Sequence, residues 1–196
     1  MSGTDLGWGE ARVRIPGVCL SPSHLRQLTE KRVKRKGRLS WNKPNLVAEE
    51  LVYAPYYYFR FVNPKLGKHF YLYDVLVDGI LGFPEFIRGS FELKECSVPR
   101  GHLLERTILR EEAESRARKM VESFALRRQS LWVKRIEVEL TEGGELYFPY
   151  WISYLETLKG IELSALNGLT GTPAGPRSEN ILQAGIARAE WKREQG

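Results

Sequence analysis

Cysteine is scarce: the 196 residues hold two, Cys19 and Cys96. A framework of several disulfides is thereby excluded, and the pair suits a reducing compartment while leaving room for one bridge. Long hydrophobic runs are missing as well. A bilayer span needs roughly 20 apolar residues, and the best stretch, Phe70 to Phe83, is interrupted by Asp74, Asp78 and Gly79. Met1 to Glu10 is polar, with no basic stretch leading into an apolar one, so a secretory signal is not expected and a cytoplasmic location follows. The motifs of common enzyme classes are absent too. There is no Gly-x-Ser-x-Gly elbow, no phosphate-binding P-loop, no His-Glu-x-x-His and no Gly-x-Gly-x-x-Gly. Asp74 and Asp78 share a strand face but lie about 13 Å apart by strand rise, too far for a coupled acid–base pair. They read as a solvated strand end, and no cofactor is expected.

What is present is the composition of a folded domain, with 42% hydrophobic and 28% charged residues. The net charge is +6 and the isoelectric point near 9.3. That balance favours acidic partners such as nucleic acid or anionic headgroups, and it also fits an ordinary solubility margin.

The strongest pattern is an internal repeat. Val52-Tyr53-Ala54-Pro55-Tyr56-Tyr57 opens a β-rich run that closes on Asp78-Gly79-Ile80-Leu81-Gly82-Phe83-Pro84. Leu146-Tyr147-Phe148-Pro149-Tyr150-Trp151 opens a second, closing on Asn167-Gly168-Leu169-Thr170-Gly171-Thr172-Pro173. Upstream, Cys19-Leu20-Ser21-Pro22 parallels Cys96-Ser97-Val98-Pro99, and each precedes a helical stretch. Landmarks recurring in one order point to duplication. Ser21-Pro22 reads as helix cap and first turn, with a short helix to about Arg32. The second helix, about Leu109 to Arg128, carries an apolar stripe of Ile108, Ala113, Ala117, Met120, Val121 and Phe124, and the pairs Glu112–Arg116 and Glu114–Arg118. Trp132 to Leu140 alternates as a half-buried strand, and Glu142-Gly143-Gly144 reads as the turn after it. Pro149 requires an edge, a bulge or a strand start. Asp78-Gly79 and Asn167-Gly168 read as the positive-φ pairs of turns.

The expected fold class is therefore α+β: a tandem duplication of a strand–helix–antiparallel-meander unit about a pseudo-twofold, with a C-terminal helical tail. Residues 11–86 form the first repeat and 90–173 the second, the boundary lying near Ile87-Arg88-Gly89. Residues 174–196 form a linker and a helix from Glu179. The apolar-Tyr-x-Pro-aromatic run followed by a hairpin and Asx-Gly-x-x-Gly resembles a duplicated domain found behind zinc ribbons in bacterial and archaeal proteins of unassigned function. It is also remotely similar to PepSY-type, cystatin-like units. The resemblance implies a fold and a binding role rather than a reaction, and the ribbon cysteines are missing here.

Function then reads as non-enzymatic binding or assembly, an adaptor for a protein partner, with Tyr56, Tyr58 and Trp191 as contact residues. The alternative is nucleic-acid binding. It would use the basic clusters Lys31, Arg32, Lys34, Arg35, Lys36 and Arg127, Arg128, Lys134, Arg135, with Tyr56 and Tyr58 as a stacking platform. A hydrolase in a cleft between the repeats is a third reading. Cys19, His24, Cys96 and His102 are the one set that could form a tetrahedral zinc site. Their spacing is that of no zinc knuckle, and a structural role is the expected one. The Gly79-x-x-Gly82 and Gly168-x-x-Gly171 loops read as turns, not as phosphate clamps.

Overall fold

A computed structural model describes residues 10–39, 44–62, 71–87, 92–128 and 138–195. The protein is α+β. In chain order its elements are β1 (Glu10–Pro16), α1 (Pro22–Leu39), β2 (Asn45–Val62), β3 (Tyr71–Asp78), β4 (Pro84–Phe86), β5 (Leu93–Pro99), α2 (Arg110–Arg128), β6 (Glu139–Thr157), β7 (Gly160–Asn167) and α3 (Pro176–Gln195). A short strand, a helix, a strand of 18 or 19 residues and a strand of eight thus occur twice. Two antiparallel sheets result, one of β1 and β5, the other in the order β4-β3-β2-β6-β7. Among the described residues, no helix is long and apolar enough to cross a membrane.

Contacts gather the chain into two compact units, and each draws on both halves of the sequence. One holds Met1–Ala54, Glu92–Leu104 and Tyr147–Gly196; the other holds Pro55–Phe91 and Glu105–Leu146. The long strands β2 and β6 each contribute to both.

In the first unit, β1 pairs with β5 around Val13 opposite Cys96. Val13, Ile15, Tyr53 and Val98 form the core beneath that ribbon. Helix α1 starts where its cap directs it: the His24 N–H donates to Ser21 Oγ at 3.3 Å, satisfying one amide of the first turn. Leu25 then packs on Trp151 of β6 and Leu166 of β7, which are directly paired. Full burial of a leucine stabilises by about 1.5–3 kcal/mol, so this one contact fixes much of the docking of α1. Helix α3 packs on β7 and buries Ile181 and Leu182.

In the second unit, α2 presents Ala113, Ala117 and Val121 to Tyr57, Phe59 and Phe61 of β2 and Val75 and Val77 of β3. Small helix residues let the aromatic face of the sheet approach closely. Tyr73, Phe86 and Phe124 meet at centroid distances of 4.9–5.2 Å at one end of it. The two expected helix pairs form, Arg116–Glu112 at 2.6 Å and Arg118–Glu114 at 3.2 Å.

Several expectations are corrected. Helix α1 does not stop near Arg32 but continues to Leu39, because Lys and Arg are good helix formers even where no apolar stripe marks the helix. The basic run Lys31 to Lys36 therefore lies within the helix. The second helix falls where expected, Arg110–Arg128, but the two parallel prolines differ in setting: Pro22 opens α1, whereas Pro99 ends β5 ahead of a single 3-10 turn at Arg100–His102. Cys19 and Cys96 are thus not equivalent, since Cys19 follows β1 in a loop and Cys96 sits in the middle of β5. Glu142-Gly143-Gly144 is not a turn but lies inside β6. A Cβ on Gly143 would come within 3.1 Å of Arg110, 3.3 Å of Phe59 and 3.5 Å of the Tyr58 carbonyl, so the glycine marks a close approach. Positive φ falls on Gly82 (74°) and Gly171 (69°), not on Gly79 or Gly168. Pro55 and Pro149 lie inside long strands, each one residue before the ladder with β3 or β7 begins at Tyr56 or Tyr150. Helix α3 begins at Pro176 rather than Glu179. Residues 88–89 of the expected repeat boundary, residues 63–69 and most of the expected strand at 132–140 lie outside the described residues.

Candidate functional site

The two Asx-Gly-x-x-Gly turns are self-contained. Asp78 is fully buried, and its Oδ1 accepts the N–H groups of Ile80 (3.1 Å), Leu81 (2.5 Å) and Gly82 (3.1 Å) while Oδ2 accepts Phe83 (2.6 Å). Asn167 does the same with its single carbonyl oxygen, accepting Leu169 (2.9 Å) and Thr170 (3.2 Å). The loop amides that could have held a phosphate are therefore occupied by the turn's own side chain. The solvated strand end expected of Asp78 is corrected: it is a buried cap. Arg116 adds to the first turn, donating to the Leu81 and Gly82 carbonyls at 2.8 and 2.9 Å.

Asp74 also has a structural task. It accepts Tyr58 Oη at 3.1 Å and Arg60 Nε at 2.9 Å, and Arg60 reaches Glu142 at 2.7 Å. Burial, then the Asp74 carboxylate, pushes the Tyr58 phenol well above its ordinary range. Tyr56 and Tyr58 are only 5% and 7% exposed. The exposed platform expected of them is corrected, because strand alternation assigns them a face without saying what covers it.

Cys19 and Cys96 both pack against the cluster around Tyr53 and are unbridged. Burial raises the Cys19 thiol, nearby Cys96 raises it further, and a hydrogen bond with Tyr53 partly offsets the two. Burial raises Cys96 likewise, and Tyr53 is pushed up to about 12 by burial and then by the two sulfurs. His24 and His102 are exposed. Among the described residues, no three His, Cys, Asp or Glu side chains are grouped to hold a metal.

Of the basic residues, Lys31, Lys34 and Arg127 are exposed, Lys34 lying 4.0 Å from Glu30. Arg32 is turned inward and donates to the Ala165 carbonyl at 3.5 Å. The side chains of Arg35, Lys36 and Arg128, and all of Lys134 and Arg135, lie outside the described residues. Beside Arg32, a cavity of about 10 Å³ is lined by Thr29, Ser153 and Ser164, with Thr29 Oγ1 and Ser153 Oγ 3.4 Å apart. That volume holds one water at most.

Sequence reasoning missed a pair of glutamates in the first half of β2. Glu49 accepts Trp151 Nε1 at 3.0 Å and Arg26 Nε at 2.9 Å, and Glu50 accepts the Tyr154 hydroxyl. The Glu49 carboxylate is nearly buried, yet its partners lie 23 and 102 residues away and nothing local announces them.

Large apolar side chains of the first unit are left exposed. Leu158, at the tip of the β6–β7 hairpin, is 82% exposed, Ile161 of β7 is 66% exposed, and Trp191 of α3 is 59% exposed. The helix starts beside the far end of β7, where Ala174 N–H donates to the Ala165 carbonyl at 2.9 Å. Its last turns come close to Tyr154, which pairs with Leu163; burial and Glu50 raise that phenol, and Glu190 raises it further. Trp191 follows Glu190 on that part of the helix. No family model matches the chain, and neither a curated protein nor a solved structure is significantly similar to it.

Proposed function

We propose that this protein is a non-enzymatic binding and assembly component that docks another protein on the apolar end formed by Trp191, Leu158 and Ile161. The observation that carries this is the exposure of the three side chains on an otherwise packed strand–helix layer. Helix α3 is anchored by Ile181 and Leu182, and Trp191 lies on the same helix. An exposed tryptophan is the kind of residue that dominates the energy of protein interfaces. Burying three such side chains would supply roughly 1.5–3 kcal/mol each, enough for a specific contact once ordering costs are met. A reducing, cytoplasmic setting suits the two unbridged thiols. Nucleic-acid binding has less support, because Tyr56 and Tyr58 are buried and Arg32 is committed to the Ala165 carbonyl.

The test places a photo-crosslinking benzoyl-phenylalanine at position 191 of the full chain in its native host. A discrete protein adduct, lost on Leu158→Ser, is the expected result. No protein adduct, or an adduct indifferent to Leu158, would overturn the docking surface.

A further inference from the structure

β3 and β7 occupy the same place in the two repeats, yet their outer edges are finished differently. On β3 the outward backbone groups belong to Asp78, Leu76 and Asp74. Asp78 N–H donates to the Phe83 carbonyl at 3.3 Å, Leu76 pairs with Glu85, and Ile87 N–H donates to the Asp74 carbonyl at 2.9 Å. On β7 the first steps recur in order. Asn167 N–H donates to the Thr172 carbonyl at 2.8 Å, Leu166 bridges Pro173 as Val77 pairs with Pro84, and Ala174 N–H donates to the Ala165 carbonyl. The next bond would join residue 176 to Leu163, as Ile87 joins Asp74. Residue 176 is proline, which has no N–H to give. The chain leaves the edge there and turns into α3. Among the described residues, the outward backbone of Leu163 and Ile161 has no strand beside it.

We propose that this edge, Gly160 to Ser164, takes an extended segment of a partner protein as an added antiparallel strand, continuing the line that Pro173 and Ala174 begin. The inference rests on the protein-binding reading above and gives its mode. Exposed strand edges recruit strands through main-chain bonds, with alternate side chains setting specificity. The ladder to β6 uses the inward groups of Gly160, Glu162 and Ser164, so docking breaks none of it. Ile161 and Leu163 face one side of the sheet and Glu162 the other. A second copy of this chain is a poor occupant. Pairing that used Ile161 and Leu163 of both copies would centre on Glu162 and set two carboxylates opposite each other, which is destabilising. The segment that fits has apolar residues opposite Ile161 and Leu163 and a lysine or arginine opposite Glu162.

The test measures fluorescence polarisation of a labelled octapeptide of alternating valine and lysine titrated with the full chain. Saturable binding is expected, weakened about tenfold or more by Ile161→Pro, since the variant loses a main-chain donor and its ring also obstructs the edge. The Ile161 amide points outward, so the variant retains its β6 ladder, and circular dichroism checks its fold. A peptide methylated on alternate backbone nitrogens should fail against the wild-type chain, and a valine–glutamate peptide should bind more weakly. Absence of saturable binding, equal binding by the methylated peptide, or a wild-type dimer that Ile161→Pro dissolves would overturn the proposal. A position-191 crosslink that persists unchanged in Leu163→Pro, whose amide also points outward and whose side chain is not one of the three docking residues, would overturn strand addition alone and leave the docking reading standing.

Discussion

The amide of Gly168 donates to the carbonyl of Pro149 at 2.8 Å, and a Cβ on Gly168 would lie 2.8 Å from the proline's own Cβ. Gly79 stands in the same relation to Pro55, with a 2.8 Å hydrogen bond and a hypothetical Cβ contact of 3.2 Å. The Tyr-x-Pro motif and the Asx-Gly-x-x-Gly motif, far apart in sequence, are therefore two sides of one contact. The proline starts the paired part of the long strand, and the glycine lets the turn close over it. Neither residue is explained by its own local conformation alone.

Substituting these glycines should separate the repeats. Gly168→Ala places a methyl against the proline ring and backbone oxygen (2.9 Å) together, where nothing flexible can yield. A cost of about 1–3 kcal/mol is expected. Gly79→Ala, with its nearest contacts at 3.2 Å, should cost less. Urea denaturation of the two variants gives the comparison, and a larger loss for Gly79→Ala would contradict the geometry.

Asp78 offers a sharper test, because one carboxylate satisfies four amides. Asp78→Ala leaves the Ile80, Leu81 and Phe83 amides without that acceptor, while Gly82 keeps the backbone carbonyl of residue 78; at about 1–3 kcal/mol each, a loss of about 3 kcal/mol or more is expected. Asp78→Asn retains one acceptor oxygen, as Asn167 does naturally, and should cost distinctly less. Asn167→Ala, losing two bonds, should fall below Asp78→Ala. Thermal melts of the three would refute the capping role if Asp78→Ala and Asp78→Asn behaved alike.

These motifs were legible in the sequence because their chemistry is local: an Asx side chain reaches its own following amides, and a Ser caps its own helix. The apolar stripe of α2 was legible for the same reason, its period being that of the helix. What was not legible depends on distant partners. Gly143 looked like a turn residue because only Arg110 and Phe59, folded against it, show that it makes room inside a strand. Cys19 and Cys96 looked equivalent because each is followed three residues later by proline, yet one backbone is a loop and the other a strand. Strand alternation sets Tyr56 and Tyr58 on one face, but what buries that face lies outside the local sequence.

Alkaline pH should weaken the fold from the first unit outward. A thiol is neutral when protonated, and burial keeps Cys19 and Cys96 protonated beyond the ordinary value of 9.0. Above that pH the unfolded chain loses protons that the folded chain retains, so stability falls as pH rises, and below it the contribution is fully present. Tyr53 adds the same effect between its ordinary value of 10.0 and about 12. The urea midpoint should be flat from about pH 7 to about pH 8.5 and decline above about pH 9. Replacing both cysteines with alanine should delay the decline toward the tyrosine range. An unchanged onset in that variant would show that the thiols are not its source.

Nucleic acid provides the last test, because it separates ordinary surface charge from a built interface. Lys31, Lys34 and Arg127 are exposed cations, and each phosphate they neutralise releases a counterion, so log affinity should fall linearly with log salt. Three contacts would give a slope of roughly −2 to −3, and a dissociation constant of about 10⁻⁴ to 10⁻⁶ M at physiological salt is the range of non-specific binding. Base stacking would add about 1–3 kcal/mol per base if an aromatic face were open to it. Tyr56 and Tyr58 offer none, being buried, with the Tyr58 hydroxyl bonded to Asp74. Tyr58→Phe should therefore cost some stability through the lost hydrogen bond and leave oligonucleotide affinity unchanged. The measurement is a salt titration of labelled single- and double-stranded oligonucleotides with wild-type protein, Tyr58→Phe and a Lys31→Ala/Lys34→Ala double variant. Weak binding that the double variant reduces and salt abolishes is the expected outcome. Sub-micromolar binding that survives physiological salt would show that the basic residues form a true nucleic-acid interface, and the protein-docking function would then give way to it.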